Sequence, residues 1–120
     1  MSQYMDSSYR SFTAGVAIAQ YLRVKISSGK LAVAVAGVTD EPVEIGYITE
    51  AAFADLDVRT VRLRNGGGTG KLIASAAITA GAAIYGAASG KVSATASGSA
   101  IGIAIEAAAA DGDVIEVLYY

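Results

Sequence analysis

Histidine is absent from the chain. That removes the side chain best matched to proton transfer near neutral pH, and with it Ser-His and Cys-His nucleophile pairs and most zinc sites. Cysteine is absent as well, so neither disulfides nor thiolate ligands contribute, and the redox compartment is left open. Tryptophan is missing and aromatics make up 8% of the residues, although 53% are apolar. Much of the apolarity is therefore alanine, which buries little area per residue. A core built this way is thin, and burial against other subunits or a partner surface is the usual supplement. A basic excess is lacking too: a net charge of −2 and a pI near 4.9 provide no field to draw in nucleic acid or an anionic membrane. The longest apolar runs, such as residues 31–38, fall short of the roughly 20 residues of a membrane helix. The N-terminus, MSQYMDSSYR, has no basic-then-apolar layout of a secretion signal. These features lead to the expectation of a soluble protein made in the cytoplasm, one domain at 120 residues, with no cofactor and no metal.

What the chain does have is a repeat. Thr13-Ala14-Gly15-Val16-Ala17-Ile18 aligns with Thr79-Ala80-Gly81-Ala82-Ala83-Ile84 at an offset of 66 residues, and Ser28-Gly29-Lys30-Leu31 with Ser89-Gly90-Lys91-Val92 at 61. Ile45-Gly46 through Glu50-Ala51-Ala52 matches Ile101-Gly102 through Glu106-Ala107-Ala108 at 56, and the match runs on to pair Asp55 and Asp57 with Asp111 and Asp113. Two copies are too few for a solenoid, which needs three or more units to bury a continuous core. A single pseudo-twofold domain is expected, with halves at 13–64 and 71–120, a Gly-rich connection at 65–70 and an N-terminal arm at 1–12.

The local pattern is β. In YLRVKI, residues 21–26, Leu22, Val24 and Ile26 alternate with Arg23 and Lys25, the period of a half-buried strand. Ser28-Gly29-Lys30 reads as a tight turn leading into LAVAVAGV, so the two strands make a hairpin. Copy two repeats this around Ala82–Tyr85 and Val92–Ala96. Glu50–Ala54 and Glu106–Ala110 are rich in helix formers but too short for stable helices, and each is expected to form one helical turn or a wide loop before strands at 58–63 and 114–119.

Chemistry-bearing patterns are sparse. RNGGGTGK, residues 64–71, carries the Gly-Lys pair of a phosphate-binding loop, but Asn65 stands where that motif opens with glycine and Leu72 where it needs a hydroxyl. Its position between the copies makes it a connection. Asp55 with Asp57, and Asp111 with Asp113, could do acid/base work, but Asp beside a turn more commonly binds local backbone amides. A calcium loop would need more oxygen ligands than this spacing provides. Asp40-Glu41-Pro42 with Glu44 reads as a solvated turn, and Ser27, Ser28 and Lys30 as turn residues and not a serine-lysine pair. No catalytic residue is expected. Tyr4, Met5, Tyr9 and Phe12, in the arm outside both copies, and the closing Tyr119-Tyr120 are candidates for contact with a partner or a second subunit, since Tyr and Met are frequent interface anchors.

The stretch AAITAGAAIYGAASGKVSATASGSAIGIAIEAAAADGDVIEVLYY, with T-A-G, G-K-V, I-G-x-A and G-D-x-I-x-V-L in that order, resembles the head decoration, or cement, proteins of tailed bacteriophages. The resemblance covers residues 70–120, and the first half through the repeat. It implies an all-β fold, a small β-barrel or β-tulip, and a non-enzymatic structural role on the outer surface of a phage capsid. The implied partners are the major capsid protein and further copies of the chain in a homotrimer, with no nucleic acid and no membrane. An alternative is a surface adhesion or carbohydrate-binding module. That would require clustered aromatics, for which Tyr21, Tyr47 and Tyr85 are the candidates.

Overall fold

The computed structural model describes residues 9–26, 32–35, 37, 44–53, 57–64 and 69–119. The first half contains β1 (Tyr9–Ala14), β2 (Arg23–Ile26), β3 (Ala32–Val35), β4 (Glu44–Ile48) and β5 (Val58–Leu63). The alternation read in YLRVKI produces β2, with Val24 pointing inward and Arg23 on the opposite face. β2 pairs antiparallel with β3, as the hairpin reading requires, and with β4 on its other side. β1 runs parallel to β3 and antiparallel to β5. The circuit β1-β3-β2-β4-β5 therefore closes into a barrel, which leaves no free edge.

The second half contains β6 (Gly70–Ile73), β7 (Ala83–Gly86), β8 (Val92–Ser93), β9 (Gly102–Ala104) and β10 (Val114–Tyr119), hydrogen-bonded in the order β6-β10-β9-β7-β8. A parallel bridge between Ala74 and Val92 joins the two ends of this sheet, where the first half pairs Ala14 with Val33. Both halves thus trace the same circuit, one as a closed barrel and the other as a curled sheet pinned at a single bridge. The fold is all-β, as the strand pattern indicates, and the pseudo-repeat forms two lobes.

The lobes match residue by residue in their cores. Phe12, Ala14, Ile18 and Val24 are buried in lobe one, and Leu72, Ala74, Ile78 and Ile84 lie 60 positions later in lobe two. Ile48, Ala52 and Val61 correspond to Ala104, Ala108 and Val117, 56 positions later. The offset of 56 is the one read from the sequence. The first block departs from it: the structural offset is 60 and not 66. Thr13 and Ala14 end a strand, whereas Thr79-Ala80-Gly81 form the turn before β7. In an Ala- and Gly-rich chain the shared T-A-G string is coincidental, and the positive-φ residues identify the true counterparts, Tyr21 (φ 67°) and Gly81 (φ 87°).

The E-A-A segments form the wide-loop alternative and not a helical turn. Ala52 exchanges two backbone hydrogen bonds with Ile18, both 2.8 Å, and Ala108 exchanges two with Ile78, at 2.9 and 3.0 Å. A five-residue helix would gain little against the cost of nucleation, while this bridge carries a buried alanine into each core. Among the described residues the only helical piece is a short 3-10 turn at Ala88–Gly90. Asp57 and Asp113 act as the loop reading requires. Each accepts a hydrogen bond from a backbone amide four residues earlier, Phe53 (2.9 Å) and Ala109 (2.7 Å).

Candidate functional site between the two lobes

The lobes meet across a buried polar cluster. Alternation in β2 turns Arg23 away from the barrel interior, where a one-lobed protein would leave it in water. Here it is fully buried, between groups of lobe one and the carbonyls of lobe two. Its Nη1 donates to Glu44 Oε1 at 2.6 Å, Nη2 donates to the carbonyls of Ala87 at 2.7 Å and Gly37 at 3.2 Å, and Nε donates to Lys91 O at 2.9 Å. One guanidinium therefore bonds to both lobes, gripping the carbonyls on either side of the 3-10 turn.

Glu44 arrives there through a bulge. Strict alternation would send it inward with Gly46 and Ile48, but the register slips between Val24 and Lys25, which pair with Gly46 and Glu44. A bulge re-aims a side chain in this way. The Tyr119 hydroxyl, from the end of β10, donates to Glu44 Oε2. Tyr47 lies on the outer face of β4 and packs into the core of lobe two, with its ring 6.4 Å from that of Tyr119.

Burial, and after it the adjacent Glu44 carboxylate, holds the Tyr119 phenol well above its ordinary value, and burial raises Tyr47 too. The folded protein thus keeps these protons more tightly than the unfolded chain. The stability they contribute is intact below about pH 10 and is lost as pH rises through the folded pKa. Melting temperatures measured across the alkaline range should hold level to about pH 9 and fall above about pH 10. Tyr119→Phe should flatten that fall while costing about 1.5–3 kcal/mol at neutral pH, the worth of a hydrogen bond to a charged group. An equally steep alkaline fall in the variant would contradict this assignment.

Beside the cluster, the seam opens into a groove of about 330 Å³. Lobe one contributes Tyr21, Tyr47 and Thr49, and lobe two contributes Thr69, Gly70, Lys71 and Glu116. Lys71 and Glu116 sit opposite each other on β6 and β10. Thr69 Oγ1 donates to Glu116 Oε2 at 2.6 Å, and Thr49 Oγ1 donates to Thr60 O at 2.9 Å.

The candidate interface residues are distributed differently. Tyr9 is 47% exposed, with the Arg62 guanidinium 5.3 Å from its ring. Phe12 is buried in the barrel core and Tyr119 in the junction. Tyr9 through Phe12 are the first four residues of β1, paired with β5, so the arm ends before Tyr9. Tyr4, Met5 and Tyr120 lie outside the described residues, as do Ser27–Lys30, Asp40–Pro42, Asp55 and Asn65–Gly68. Sequence reading missed Arg23 and Glu44. The available signal was their departure from the repeat, since the corresponding positions are Ala83 and Ala100.

A family model described as phage cement protein matches residues 64–119, a span that coincides with lobe two. Among solved structures, the N base of head fiber gp8.5 in bacteriophage phi29 has a similar fold, with a TM-score of 0.77 and 16% sequence identity, covering 93% of this chain and 92% of that one. No curated protein matches the chain.

Proposed function

We propose, for a chain whose residues 64–119 match the phage cement protein family, that the two-lobed subunit binds the outer surface of a phage head and strengthens contacts between capsomers. The family match over lobe two supports reading the chain as a structural protein of the virion capsid. The observation that carries the finer reading is the coincidence of that family match with one complete lobe, whose circuit and core positions lobe one repeats. The subunit thus offers two copies of one architecture with different outer faces.

The partners in this reading are the major capsid protein and two further copies of the chain. A trimer touching several capsomers turns its later contacts into intramolecular ones, so individually weak contacts suffice. Alanine-rich lobes with thin cores gain burial from such assembly. Tyr4 and Met5, which precede β1, belong to the arm directed at the capsid, and the half-exposed Tyr9 lies at the start of β1 where that arm joins the barrel. Such a protein acts by binding and needs no catalytic group.

The test mixes purified protein with expanded heads that lack it. Co-sedimentation and a higher head-disruption temperature are expected, and no binding would reject the proposal. Deleting residues 2–8, which leaves β1 intact, should weaken binding by at least about tenfold, or 1.4 kcal/mol. Unchanged binding would remove the arm from the mechanism.

A further inference from the structure

We infer that the groove between the lobes is a binding site for a neutral saccharide. The first observation is backbone strain at its aromatic wall. Tyr21 has φ 67°, in the left-handed region that a bulky residue rarely occupies. The counterpart in lobe two, Gly81, holds the same conformation without a side chain. The fold therefore accommodates glycine at this position, and lobe one instead keeps a ring there. Strain held in this way clusters where a side chain is positioned for contact.

The second observation is what the ring meets. The Tyr21 and Tyr47 centroids are 6.2 Å apart with planes inclined at 53°; Tyr47 is buried and backs the half-buried Tyr21 ring, which gives the groove its open aromatic surface. A Cβ on Gly70 would lie 2.6 Å from the Tyr47 ring, and glycine in that place lets β6 pass close to the ring. The C–H faces of a pyranose carry partial positive charge and fit against the negative faces of such rings.

The polar rim selects the ligand class. The Thr49 and Thr69 hydroxyls each spend their proton inside the protein, which leaves oxygen lone pairs to accept from a ligand. Lys71 supplies donors and Glu116 acceptors, and facing each other they cancel in charge. A phosphate or carboxylate would find as much repulsion as attraction, whereas a ligand rich in hydroxyls can both donate and accept. The volume of about 330 Å³ stands at the small end of the roughly 300–1,000 Å³ usual for small-molecule sites. The site is independent of the capsid reading, since none of these residues is assigned a capsid contact.

The experiment is an amide NMR titration of the full chain, with saturation-transfer spectra. The probes are three neutral trisaccharides (cellotriose, chitotriose and maltotriose) and two anions (trigalacturonate and inorganic phosphate). At least one neutral probe should bind at millimolar concentration and shift the amides of Tyr21, Thr49 and Lys71. Tyr21→Gly adopts the backbone that Gly81 already uses, so it should keep the fold and melting temperature while weakening that binding by at least about tenfold. No groove shifts with any neutral probe, binding by the anions alone, shifts confined to other surfaces, or undiminished binding in a folded Tyr21→Gly variant would each overturn the assignment.

Discussion

Replacing Arg23 with alanine is expected to destabilise the protein by about 3–5 kcal/mol, the usual cost of stripping one partner from a buried ion pair. Glu44 would remain in the junction with its charge uncompensated, and the carbonyls of Ala87 and Lys91 would each lose a donor. The loss should also be anisotropic. Each lobe has its own core, and Arg23, alongside the Tyr119–Glu44 bond, carries the buried side-chain hydrogen bonds across the seam among the described residues. Urea unfolding of Arg23→Ala should therefore separate into two transitions where the parent protein shows one. Exposed pairs give the contrast: Lys91→Ala, which breaks the Lys91–Asp111 bridge at 2.8 Å, should cost less than about 1 kcal/mol. The double variant Arg23→Met with Glu44→Leu should recover much of the loss, because an apolar pair no longer carries the desolvation penalty of the ions. A single sharp transition and a loss under about 1 kcal/mol in Arg23→Ala would remove this cluster from the account of how the lobes are joined.

This cluster marks the limit of what the sequence alone reveals. The hairpin of β2 and β3 and the strands at 58–63 and 114–119 were legible because each rests on a local period. The Asp57 and Asp113 loops were legible because a short carboxylate bonds to its own neighbourhood. Arg23 has the same local pattern as any solvent-facing arginine, and only a second lobe laid over the outer face of β2 buries it. Tyr21 and Tyr47 are 26 positions apart and meet at the seam through tertiary packing, so they looked scattered along the chain. The misaligned first block has a related cause. In a sequence dominated by alanine and glycine, letter identity carries little information, and backbone hydrogen bonds give the register. Of RNGGGTGK, the described residues fall at Arg64, where lobe one ends, and at Thr69, Gly70 and Lys71, which line the groove. The stretch is a seam between lobes, and its glycine-lysine pair belongs to the wall of that groove.

The repeated Ile-Gly pair carries the other large effect. Gly46→Ala is expected to cost about 3 kcal/mol or more, at the upper end of overpacking penalties, and Gly102→Ala somewhat less. A Cβ on Gly46 would stand 1.9 Å from the carbonyl oxygen of Arg62, and one on Gly102 2.3 Å from that of Leu118. Ordinary contact begins near 3.4 Å, so in both cases the neighbouring backbone must move by more than an ångström. The neighbours are β5 and β10, paired with β4 and β9 at these glycines. β5 is locked on its far side by five paired positions to β1 in a closed barrel, and the displacement has nowhere to spread. β10 belongs to a sheet whose circuit is pinned by one bridge, which can open to take up part of the shift. The order of the two penalties therefore follows from barrel closure, although the sequence pair is identical. Gly112→Ala is the control, since its Cβ would meet nothing within 4 Å while φ is 94°; that left-handed strain alone should cost about 1–2 kcal/mol. Thermal melts of the three variants should rank Gly46→Ala lowest and Gly112→Ala highest. If Gly46→Ala gives no folded protein, the gap between Gly102→Ala and Gly112→Ala still decides the matter, and equal melting temperatures for those two would refute the close-approach explanation.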